Sequence, residues 1–286
     1  MVRNDNTPKF KRNESFSIRD GWFEKAINSI KENEGVNVFS KNHGIETLGI
    51  GANMVKSLKY WLQSANLIES NFKQTSLTEF GNLVYNHDRY LESDFVWFLI
   101  HYFLSTNYVE CPVFYAFFNT DIKSTKKEEF TKFLSAFFQM DGYDNVRMDY
   151  LEDDANVMFK SYLTTEVSDN PEDNSSCPLS SLKLIQKRGD KLEKRKPVYS
   201  ALSYLIVYFA LGNKYGFKPF NIEDSFVEPL SPYLLFNLDK NMYFQYLEEM
   251  RRNGFVTINK TAGLNTVYFN KKMTLTGVFD MWFRSK

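Results

Sequence analysis

Few of the residues that could do covalent or metal chemistry in this chain stand at a spacing that would let them. The three histidines, His43, His87 and His101, are far apart, and none is matched in sequence with a cysteine or carboxylate motif. A lone histidine on an apolar helix, as His101 is, is expected to be a hydrogen-bonded structural residue. Cys111 and Cys177 are too few for a disulfide framework and lack metal-ligand spacing, so buried, idle thiols in a reducing cytoplasm are expected. Asp88 with Glu92, and the run Glu152-Asp153-Asp154, carry the oxygens a cation needs, but clustered acids on a loop are equally at home in water. Asp190-x-x-Glu193-Lys194 comes nearest to the separated carboxylates and lysine of a nuclease, and its spacing departs from that pattern. There is no glycine-rich phosphate loop, no dinucleotide fingerprint, no nucleophile elbow and no paired-histidine zinc helix. Catalysis, a cofactor and a metal are therefore not expected.

Binding chemistry is better represented. On residues 52–65, Val55, Leu58, Leu62 and Ala65 recur at helical spacing, with Trp61 and Met54 widening the apolar stripe. The opposite face then carries Asn53, Lys56, Ser57, Lys59, Tyr60 and Gln63. Asparagine and glutamine amides can pair with adenine edges, whereas lysine and serine more often meet phosphate. Gly49 and Gly51 bracket the preceding turn, where a positive φ is easiest for glycine. The helix start at Gly51-Ala52-Asn53 offers free N–H groups to a phosphate. Lys73 stands in the wing that follows.

The elements that must position these residues run over Ile45–Gly81: a short helix, a turn, a longer amphipathic helix, a strand, and a wing closed by Leu77-Thr78-x-x-Gly81. That is the order of a winged helix-turn-helix. Residues 41–90 hold five bases and four acids, a weak footprint for a nucleic-acid module. Winged helices also dock proteins, so duplex DNA and a protein partner both stay open.

Around this unit the periodicity predicts a mainly α protein with small β wings. A first helix spans Ser17–Asn33 with Ser17 as its cap, and Trp22, Phe23, Ala26, Ile27 and Ile30 inward. Apolar helices follow at Tyr90–Asn107 and Pro112–Asn119. Ser124–Met140 puts Phe130, Phe133, Leu134, Phe137 and Phe138 on one face, so the middle reads as a helical bundle. Further helices are predicted at Ala155–Thr165, Leu179–Ile185 and Pro197–Leu211. The C-terminal part repeats helix, strand, turn, strand. Asn241–Asn253 carries Phe244, Leu247 and Met250 inward, Gly254 stops it, and strands Phe255–Ile258 and Asn265–Phe269 join through Thr261-Ala262-Gly263. This unit is either a second winged-helix-like module or a helix packed on a hairpin. The polar stretch Ser168–Pro178 marks the best boundary, giving an N-terminal winged helix-turn-helix domain at 1–90, a bundle at 91–170, and an α+β domain at 171–286, winged-helix-like at 241–270.

Composition agrees with a binding protein. The 286 residues are 43% hydrophobic and 17% aromatic, enough for a large core. Bases and acids balance at 35 each, which argues against a general nucleic-acid coat. The balance hides a dipole: Asp141–Asp173 carries a net −8, and Lys183–Lys196 a net +5. These read either as solvated loops or as oppositely charged surfaces for partners or phosphates. No apolar run reaches the ~18 residues of a membrane span. The N-terminal residues have no apolar segment behind their charges, so no secretory signal is expected.

Five segments carry a resemblance: Phe16-Ser17-Ile18-Arg19-Asp20-Gly21-Trp22, Leu48-Gly49-Ile50-Gly51-x-Asn53-Met54-Val55, Tyr60-Trp61-Leu62, Cys177-Pro178-Leu179-x-x-Leu182 and Thr261-Ala262-Gly263-Leu264. Together they resemble the bacterial domain-of-unknown-function family four thousand and seven, across nearly the whole chain. Its members tend to be encoded beside phosphoadenosine-phosphosulfate-reductase-like proteins in DNA phosphorothioation and phage-defence clusters. The resemblance implies a non-catalytic accessory protein that brings such a reductase-like partner to duplex DNA. Its alternatives are an assembly subunit without DNA contact and a regulator of its own cluster. It carries over no catalytic residue.

Overall fold

The computed structural model describes residues 7–40, 43–164, 176–261 and 264–284. Among them twelve helices and three small antiparallel sheets form, the mainly α architecture that the periodicity predicts. No described helix is long and apolar enough to cross a membrane.

The segment before the first helix is an irregular strap with left-handed turns at Lys11, Glu14 and Ser15. The Lys11 N–H (2.8 Å) and the Asn13 Nδ2 amide (2.7 Å) both donate to the buried Asp154 carboxylate, and Lys11 also pairs with Asp153. The first helix, α1 (Trp22–Glu32), starts later than the sequence suggests. Ser17 is buried rather than capping, because a turn at Asp20-Gly21 separates it from the helix. After α2 (His43–Leu48) comes α3 (Ala52–Ser64), whose Val55, Leu58, Trp61 and Leu62 are buried. Gly49 takes the left-handed conformation (φ 62°), whereas Gly51 is extended and caps α3. The helix closes in a Schellman turn: Asn66 sits at φ 58°, its N–H donates to the Gln63 carbonyl, and the Leu67 N–H reaches the Leu62 carbonyl at 2.9 Å.

A hairpin of β1 (Ile68–Ser70) and β2 (Thr75–Leu77) follows, with Ile68 opposite Leu77. Thr78 then caps α4 (Glu79–His87), a helix the sequence reading did not separate from the wing. Gly81 lies so close under the hairpin that a Cβ there would stand 2.1 Å from the Leu67 carbonyl oxygen.

The middle is helical: α5 (Asp94–Thr106), α6 (Pro112–Phe118), α7 (Lys127–Met140) and α8 (Met148–Tyr162). Phe117 joins them, its ring 5.2 Å from Phe130 on α7 and 5.4 Å from Phe159 on α8. Two boundaries differ from expectation. Ser124–Thr125 forms a short edge strand, β3, instead of the first turn of α7. The acids Asp149, Glu152, Asp153 and Asp154 lie on the first two turns of α8 instead of a loop, with Asp149 in the first turn, where the positive helix end favours it. Glu166, Asp169, Glu172, Asp173 and most of the Ser168–Pro178 stretch lie outside the described residues.

Beyond that stretch, Pro178–Leu182 is a single 3-10 turn rather than a helix. The basic run is an ordered hairpin, β4 (Ile185–Arg188) with β5 (Lys191–Lys194), and β5 also pairs with β3. Ser203 caps α9 (Tyr204–Tyr215), which is shorter at its start than Pro197–Leu211. After β6 (Phe220–Asn221) and α10 (Pro232–Leu235) comes α11 (Lys240–Arg252), packed against β7 (Val256–Thr261), which pairs with β8 (Leu264–Phe269) in a sheet ordered β6-β8-β7. On α11 Leu247 and Met250 point inward as expected, but Phe244 is 41% exposed because Tyr243 and Tyr246 fill the interface instead. Ala262 and Gly263 of the expected turn lie outside the described residues. The last helix is α12 (Leu275–Arg284), beyond the elements that the periodicity predicts. Its Phe279 is fully buried against Phe80 and Phe95, which ties the C-terminal end to α4 and α5.

Candidate nucleic-acid interface

On α3 the buried stripe fixes which side chains can face outward. Asn53, Lys56 and Gln63 are exposed, and Lys59 is half-buried. Lys56 Nζ lies 3.4 Å from Asn53 Oδ1, so the two heads occupy one spot on the first turn. Burial of its stem lowers the Lys59 pKa from its ordinary value. The helix entrance at Gly51-Ala52-Asn53 is also exposed and has no side-chain cap, leaving its first N–H groups open.

Two residues expected on this face are not there. Ser57 is fully buried, one turn before the buried Trp61 on the same flank of α3. Tyr60 leans inward as well: its hydroxyl donates to the Glu110 carbonyl at 2.7 Å and lies 3.3 Å from Cys111 Sγ. Burial pushes the Tyr60 phenol well up, and pushes the Cys111 thiol up to about 12. Ser57 is therefore buried in the core and Tyr60 packs against it; the segment around Glu110 covers a flank of α3 that helical spacing alone leaves open.

Lys73 is exposed at the tip of the β1–β2 hairpin, its N–H held by Asn71 Oδ1 at 2.8 Å. Beside it stands a residue that sequence reasoning missed. Phe72 is completely exposed, on a tip braced by Asn37 Nδ2, which donates to the Asn71 carbonyl at 3.0 Å. A lone aromatic between Asn71, Lys73 and Gln74 was the available signal.

The residues weighed for catalysis do not converge. His101 is buried, with Nδ1 2.6 Å from the Tyr162 hydroxyl and Nε2 2.8 Å from the Leu235 carbonyl, the satisfied structural histidine expected. Its burial lowers its pKa to about 4. Cys177 is likewise buried and its thiol pushed up to about 12. Asp190 pairs with Lys126, Glu193 accepts from Gln186, and Lys194 donates to the Thr120 carbonyl, so that triplet points three ways. Among the described residues no three histidine, cysteine or acidic side chains gather as a metal set would.

A family described as a protein of unknown function, DUF4007, matches residues 10–279. No curated protein matches the chain. Two solved structures share its fold. A magnesium ion-bound SspB crystal structure superposes with a TM-score of 0.82 at 19% identity, covering 99% of this chain and 89% of that one. A second SspB crystal structure gives a TM-score of 0.79 at 19% identity, over 99% and 88% of the two chains.

Proposed function

The chain belongs to the DUF4007 family, and we propose that it is a non-catalytic accessory protein that holds duplex DNA on the outer face of α3. In this reading it brings a phosphoadenosine-phosphosulfate-reductase-like enzyme to that DNA, within a sulfur-modification or anti-phage defence system. The observation that carries the proposal is the solvent-facing set Asn53, Lys56 and Gln63 on a helix whose opposite side is fully buried. Amides that can read an adenine edge and an ammonium that can meet phosphate are the groups a groove-facing helix needs. The succession α1, α2, α3 and hairpin supports a winged helix-turn-helix. Its wing would carry Lys73 to the backbone and Phe72 toward a base step, where apolar wedges enter minor grooves.

An assembly role without DNA is favoured by a different observation. A groove along α11 is lined by the exposed Phe244 and Tyr199 with Glu248, Glu249, Arg252 and three amides, a mixed lining of the kind that protein partners meet.

Salt separates the two. Phosphate contacts release counterions, so duplex affinity should fall steeply with salt. Lys56→Glu with Lys59→Glu should flatten that dependence, with a change of slope of about 2 for two contacts. A duplex shift that is absent at low ionic strength, together with a co-purifying partner, would leave the assembly reading.

A further inference from the structure

A second basic surface lies far from α3 in sequence. A groove of about 600 Å³ opens between the end of α8, the Pro178–Leu182 turn and the β4–β5 hairpin. Its polar lining is Thr164, Ser180, Lys183, Gln186, Lys187 and Arg195, three cations and no acid. The acids in and beside this hairpin hold other partners: Asp190 in its turn pairs with Lys126, Glu193 on β5 accepts from the lining Gln186 at 2.8 Å, and Asp239 pairs with Lys196. Among the described residues no carboxylate pairs with Lys183, Lys187 or Arg195.

The backbone that carries these cations is fixed. The Arg195 N–H donates to the Leu184 carbonyl at 2.9 Å, and Asn237 Nδ2 donates both to that carbonyl and to the Arg195 carbonyl. Lys187 stands in strand register opposite Leu192. Lys183 ends the 3-10 turn in the left-handed conformation (φ 54°, ψ 33°), a place where glycine is cheaper and lysine is rarely found. Fixed cations with the Thr164 and Ser180 hydroxyls beside them are the set that protein–DNA contacts direct at phosphate oxygens.

We propose that this groove is a second nucleic-acid contact, a phosphate-backbone site that binds one strand independently of α3. It rests on the DNA reading above, and it assigns the basic hairpin a role as a sequence-independent clamp.

The test uses the full chain, Lys187→Gln/Arg195→Gln, and Lys56→Glu/Lys59→Glu, each checked for unchanged helicity, with two probes. Duplex binding is followed against salt, and tripolyphosphate binding by calorimetry. The groove variant should lower the slope of log affinity against log salt by about 2. It should also weaken tripolyphosphate about tenfold or more, while the α3 variant leaves tripolyphosphate unchanged. A groove variant that binds duplex with the parental slope, while the α3 variant loses it, overturns this inference and keeps the DNA reading. Tripolyphosphate binding that needs Lys187 and Arg195, with no duplex binding by the parent, overturns the DNA reading and leaves a bare phosphate site. Loss of neither probe's binding in any variant overturns both.

Discussion

Asp154 and His101 are two buried titratable side chains whose pH dependences oppose each other. Desolvation raises the Asp154 carboxyl from 3.8 to about 6, even though the Lys11 N–H and Asn13 amide both favour its charged form. The folded chain therefore binds more protons than the unfolded chain in that window, and stability falls as pH rises through it. His101 is lowered from 6.5 to about 4, again mainly by burial. There the unfolded chain binds the extra proton, so stability falls as pH drops through the window. Each contribution is on the order of 3 kcal/mol, and in the parent they nearly cancel between about pH 4 and 6. Asp154→Asn should unmask the histidine: its urea midpoint should climb from pH 4 to 6.5 while the parent's stays nearly level. A level midpoint in the variant would show that Asp154 does not titrate as its burial implies.

At the level of elements, close approach decides more than propensity. In Gly81→Ala the new Cβ would meet a backbone carbonyl at 2.1 Å, and neither α4 nor the hairpin can yield without loss. The expected cost is about 3 kcal/mol, the upper range for overpacking, read as a lowered denaturant midpoint at unchanged m-value. Helical spacing made the inner stripe of α3 and the bundle helices legible in the sequence, because apolar residues at i, i+3 and i+7 report a face directly. It misplaced Ser57 and Tyr60, since spacing says nothing of a third segment, here the one around Glu110, that covers a flank. The basic run reads as a loop, and not as the β4–β5 hairpin, for a related reason. Ile185 and Leu192 are its buried side chains, and its pairing with Ser124–Thr125 is a contact across more than sixty residues of sequence. No local pattern encodes such a pairing. On α12, Leu275, Val278 and Phe279 do recur at helical spacing, so that helix could have been found.

Across the molecule, one hydrophobic cluster runs from Ile18 to Phe279. Phe279 lies among Phe80, Phe95 and Phe283, and Trp282 stacks on Phe95 at 4.7 Å. Phe279→Ala should cost about 3–5 kcal/mol, typical of an aromatic removed from a core. Because its ring joins N-terminal and C-terminal helices, tryptophan fluorescence and far-UV circular dichroism should still report one coincident, earlier transition. Two separated transitions would show that α12 only decorates α4. The central claim, that DNA lies on the outer face of α3, is tested most directly by lysine footprinting: acetylation of the full chain with and without duplex, read by mass spectrometry. Lys56 and Lys73 should be protected by duplex, while Lys218, exposed beyond α9, should react equally in both. Full reactivity of Lys56 and Lys73 in a protein that demonstrably holds duplex would contradict the claim.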